Sequence, residues 1–117
     1  MFVRIQVTYN SSVTGKPYGI FGAVPHLQQQ GRLSEAEAQT LTEIRMWFEE
    51  HLPNPPFYDD GNPLRTLTWF KVSATHMIER LSPLREILER HGVVVQAVTT
   101  ANPGLIVYED PYQVGAV

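Results

Sequence analysis

The first nine residues alternate. Val3, Ile5, Val7 and Tyr9 fall on one face, and Arg4, Gln6 and Thr8 on the other. A period of two predicts a half-buried strand over Phe2–Tyr9. Ile20, Phe21, Val24 and Leu27 then recur at helical spacing. Gly19, Gly22 and Pro25 weaken that pattern, so a short helix starting near Ala23 is expected, with Gly31 ending it. Ser34 and Glu37 match a capping box. The helix behind it should reach about Leu52, with Leu41, Ile44, Trp47 and Phe48 inward.

Leu67–Val72 is rich in β-branched and aromatic residues and reads as a second strand. From Ser73 to His91, the residues Met77, Ile78, Leu81, Leu84, Ile87 and Leu88 form one helical stripe. Ser73 or Thr75 is placed to cap it, and Gly92 to stop it. Ser82-Pro83 interrupts the middle, which leaves one kinked helix or two short ones. Val93–Thr99 opens on a run of three valines, expected to be covered on both faces. Ala101-Asn102-Pro103-Gly104 is a turn signal. It should return Gly104–Tyr108 antiparallel beside Val93–Thr99. Glu109–Val117 reads as a short edge strand or a frayed end.

Together these elements predict an α+β domain, an α/β two-layer sandwich in the order β-α-α-β-α-β-β. Its sheet should be mixed and of about four strands, because a helical crossover joins parallel strands. The expected core is Val3, Ile5, Val7, Leu41, Ile44, Trp47, Phe48, Ile78, Leu81, Leu88, Val94 and Ile106. One globular domain over 1–117 fits the length.

At 43% apolar residues the chain can form a core without staples, and it has no cysteine for disulfides, thiolate metal sites or a thiol nucleophile. No leader and no membrane-length apolar run is visible, so the expected location is cytoplasmic, with no membrane partner. A net charge of −3 argues against direct nucleic-acid binding. The Gly15-Lys16 pair lacks the earlier glycine of a phosphate-cradling loop. No nucleophile elbow, His-Glu-x-x-His or paired-glycine fingerprint occurs, so neither a cofactor nor a catalytic set is assigned.

Three functional readings remain. The leading one is a non-catalytic module, an accessory or inhibitor-type protein that binds another protein with a basic surface. Its contact would be Phe57, Tyr58, Asp59 and Asp60 of the proline-rich loop 53–64, with Glu109 and Asp110. The alternative is a small-anion or nucleotide site built from Lys16, Ser73, Thr75 and His76 at one sheet end. The third is a divalent-cation enzyme using Asp59, Asp60 and Glu109, with His91 carrying protons. His76 and Glu79 also have a metal-sharing spacing, but no second such pair accompanies them. Trp69 and Phe70, neighbours on a strand, point to opposite faces and are both buried only if both faces are covered.

Overall fold

A computed structural model describes residues 1–117. The chain forms β1 (Phe2–Asn10), β2 (Pro17–Gly19), α1 (Ile20–Gln29) and α2 (Glu35–His51). It continues as β3 (Leu67–Lys71), α3 (Thr75–Glu79), α4 (Ser82–Arg90), β4 (Val95–Thr100), β5 (Ile106–Glu109) and β6 (Gln113–Ala116). The class is α+β, as expected from the pattern.

The sheet differs from expectation in size and direction. It has six strands, and every pairing is antiparallel. β1 is central. β4 runs along one side of it, from Phe2 opposite Thr100 to Val7 opposite Val95. The other side is shared. β3 pairs with Phe2 and Val3, β2 pairs from Gln6 to Asn10, and a gap lies between them. Beyond β3 come β6 and then β5.

The helical crossover does not join neighbouring strands. β3 and β4 both pair antiparallel with β1, so they do run in the same direction. β1 lies between them, however, so they are parallel without being paired. Likewise β5 does not return beside β4 but pairs with β6 at the far edge. Periodicity reports which face of a strand is buried, not which strand lies beside it.

Local signals translate more directly. The capping box forms: Ser34 Oγ accepts from Glu37 N–H at 3.1 Å, and Glu37 Oε1 accepts from Ser34 N–H at 3.0 Å. Ser82-Pro83 separates two helices, with Pro83 in the first turn of α4, where a missing donor has no consequence. Gly92 takes φ +76°, the left-handed geometry that ends α4. Neither Ser73 nor Thr75 caps α3.

Val3, Ile5 and Val7 form the floor of the core, covered by α1, α2 and α4. Leu41, Ile44, Phe48, Leu81 and Leu88 are buried there as expected, while Trp47 and Ile78 sit at its margin. Two expected core residues are instead exposed, Val94 by 61% and Ile106 by 42%. Val94 precedes the strand, and Ile106 lies on the outermost one, so neither has a layer above it.

The end of the chain is the largest reversal. β6 is neither edge nor frayed; it lies between β3 and β5, and all four of its residues are buried. Over that half of the sheet the cover is the segment 53–66, which holds one turn of 3-10 helix at Pro56–Tyr58, rather than an α-helix. Phe57 rests on Gly115, where an added Cβ would stand 2.8 Å from the ring. Gln113 Nε2 donates to Pro53 O at 2.9 Å and fastens the start of the loop to β6.

Candidate binding cleft and sheet edge

Most of the expected acidic contact residues are engaged by the protein's own groups, and neither Asp59 nor Asp60 takes part in an ion pair. Glu109 accepts from Lys71 Nζ at 2.6 Å instead of joining Asp59 and Asp60. Asp110 closes the β5–β6 turn. It accepts from Tyr112 N–H at 2.8 Å, Gln113 N–H at 3.0 Å and the Tyr108 hydroxyl at 2.7 Å. Burial raises the Asp110 pKa, but these donors outweigh it and the net shift is downward. Burial and the facing carboxylate push the Tyr108 hydroxyl up to about 12. Asp59 accepts from Asn54 Nδ2 at 3.3 Å, and Tyr58 is tied to Thr68 Oγ1 at 3.1 Å. No group of three His, Asp or Glu side chains is arranged to hold a metal ion. Contrary to the expectation of a cation site, Asp59, Asp60 and Glu109 are not brought together as metal ligands.

The second expected constellation is also separated. Lys16 lies at the β1–β2 turn, where its carbonyl accepts from Ser11 N–H at 2.8 Å. Ser73, Thr75 and His76 follow β3, whose last residue, Lys71, pairs with Phe2. Asn10 and Phe2 are opposite ends of β1, roughly 26 Å apart at ~3.3 Å per residue. Antiparallel pairing of β1 with β3 is the reason, since it sends the two strand ends in opposite directions. His76 instead meets the edge of the Tyr112 ring, centroids 5.9 Å apart.

His26 stacks on Tyr18 at 5.5 Å, and His51 on Trp47 at 4.2 Å. His91 Nε2 contacts Glu37 Oε1 at 3.0 Å, joining the end of α4 to the start of α2. The Ser34 N–H first, and His91 next, hold the Glu37 carboxyl below its ordinary pKa of 4.5. A depressed carboxylate pKa contributes stability above the unfolded value and loses it as pH falls through the folded one. Stability should therefore decline below about pH 4.5, and Glu37→Gln should flatten that decline. Urea melts from neutral pH down to pH ~3 measure the slope; an unchanged slope in the variant removes this linkage.

One sheet edge carries an apolar strip. β5 pairs only with β6, and Leu105 (69% exposed), Ile106 and Val107 (45%) stand in solvent beside Val117. Leu105 and Val117 exchange both backbone hydrogen bonds, at 3.0 and 2.9 Å. The acidic loop adjoins this strip, since Phe57 meets Tyr108 of β5 edge-to-face at 6.1 Å.

A cleft of about 880 Å³ opens where β2 and β3 part from β1. One wall is Gly19, Ile20 and Phe21; the other is Thr68, Trp69 and Phe70, with Tyr112 and Gln113. The end of α2 and the start of the proline-rich loop roof it, from Phe48 to Pro55. Arg4 crosses its base. Nη1 donates to Thr68 O at 3.1 Å and Nη2 to Pro17 O at 3.0 Å, so the guanidinium satisfies carbonyls on both diverging strands. Arg4 is only 9% exposed and takes part in no ion pair. Its Nε has no acceptor, nor has Nε1 of Trp69, one step past the last paired residues, Val3 and Phe70.

No family model matches this chain, and comparison with curated proteins and with solved structures found no match either.

Arg4 is not among the expected site residues. Its position in an alternating strand assigned it to the solvated face. A signal was present, because Arg4 is the one charged side chain in the stretch Met1–Ser12. What no pattern supplied was the gap between β2 and β3 that encloses it.

Proposed function

We propose that the domain is a non-catalytic protein-binding module, and that its contact surface is the outer edge of β5. The observation that carries this reading is the exposed strip Leu105, Ile106 and Val107, at the start of a strand that pairs on one side only, with β6 and its continuation at Val117. Such an edge is a template for an added strand. The side chains from 105 to 108 carry no charge, which fits an apolar segment in extended conformation. Asp59 and Asp60 are exposed and follow closely on Phe57, which packs on Tyr108 of β5, and we read them as an acidic rim to that strip. Apolar core and charged rim together favour a partner strand flanked by lysine or arginine.

Selection of short random peptides on the immobilised domain tests the reading. Apolar peptides with basic flanks should be enriched, and Leu105→Lys with Val107→Lys should abolish their binding. Both positions are exposed, so the double variant should melt close to the wild type. Peptides that bind the double variant equally, or a purely self-associating edge in sedimentation, would overturn the proposal.

A further inference from the structure

We infer that the cleft at the parting of β2 and β3 is a binding site for a small organic monocarboxylate, with Arg4 as its counter-ion and the aromatic walls as the seat of its apolar body. This is independent of the β5 edge, which lies at the far margin of the sheet.

A guanidinium taken out of water needs compensation, and buried charges are ordinarily paired. Arg4 is nine-tenths buried, yet only two neutral carbonyls answer it. Burial accordingly lowers its pKa, with the nearby Tyr58 hydroxyl opposing. Stapling two strands to β1 does not require a charge, since any pair of N–H donors can serve carbonyls. A guanidinium has five N–H groups and these two bonds use two, which leaves a planar donor set of the kind that recognises a carboxylate.

The cleft selects among anions. Its base holds one buried positive charge, which balances a single negative one; a phosphate monoester carries about −1.5 to −2 at neutral pH. The other charged groups lining it, Arg45, Glu49, Glu50 and His51, are exposed and screened by water. Ile20, Phe21, Phe48 and Phe70 supply apolar wall, and Phe21 and Phe48 meet edge-to-face at 4.8 Å. The volume lies within the range of small-molecule sites, ~300–1,000 Å³. An aryl or short-chain alkyl carboxylate satisfies charge, shape and apolar lining together.

Titration of the ¹⁵N-labelled wild-type protein tests this without altering Arg4. Trp47 and Trp69 are the only tryptophans, so the spectrum holds two indole N–H signals, assigned with Trp47→Phe. Benzoate and octanoate should shift the Trp69 signal saturably and raise the melting temperature. Benzamide, neutral and of similar shape, should bind at least about tenfold more weakly, the scale of a charge-assisted pair. Phenyl phosphate should also be weaker than benzoate. Arg4→Gln should remove the preference for benzoate over benzamide; if that variant does not fold, the wild-type titration stands alone. Equal binding of benzamide, tighter binding of phenyl phosphate, or no Trp69 shift with either carboxylate would overturn the inference.

Discussion

Leu84→Ala should lower stability by about 2–5 kcal/mol, the range for truncating a fully buried leucine. Leu84 is completely buried on α4, within the core that also holds α1 and β1. Its removal takes away transfer free energy and leaves a void that surrounding side chains only partly fill. The site has little room to adjust. Val7, Val24, Ile87 and Leu88 are likewise fully shut off from solvent. Chemical denaturation gives the measurement, with a lower midpoint and an unchanged dependence on denaturant. A loss under roughly 1 kcal/mol would place α4 in a different register from the one described.

Asn62→Ala should be comparably severe, at roughly 2–4 kcal/mol, although asparagine in a loop looks expendable. Asn62 is buried and bridges Thr66 on both sides. Its Oδ1 accepts from Thr66 N–H at 2.8 Å, and its Nδ2 donates to Thr66 O at 2.9 Å. Truncation leaves two buried backbone groups without partners, each a penalty of about 1–3 kcal/mol. Asn62 also adopts φ +53°, a conformation asparagine tolerates better than alanine. Because loop 53–66 covers β6 and β5, the variant should also become sensitive to proteolysis within that loop before global unfolding. Resistance equal to the wild type would show that Phe57 on Gly115 holds the loop unaided.

Lengths, caps and stops were legible in the sequence because they depend on neighbours a few residues apart. The Ser34–Glu37 box, the break at Ser82-Pro83 and the stop at Gly92 each act within one or two turns of chain. The inward faces of β1 and α2 were legible too, since Val3, Ile5 and Val7, or Leu41, Ile44 and Phe48, mark a face by spacing alone. Strand order was not. Sheet neighbours are chosen by long-range pairing, and Gln113–Ala116 carries no run of apolar side chains to announce an interior strand. Gly115 earns its burial by admitting Phe57, a contact 58 residues distant.

The candidate sites divide along the same line. The residues with conspicuous chemistry, Asp59, Asp60, Glu109, Lys16 and His76, lie on turns and element ends, where composition reveals them. Tertiary structure disperses them: antiparallel pairing puts Lys16 and Ser73 at opposite ends of β1, and Lys71 engages Glu109. It also creates what composition could not show. The free edge of β5 exists because β6 takes the interior position. The cleft exists because β2 and β3 share one side of β1 and leave a gap between them. Arg4 reads in the sequence as an ordinary outward residue of an alternating strand; enclosure in that gap makes it a buried cation without a counter-ion. Local spacing determines which way a side chain points, while the meeting of distant strands determines whether water reaches it.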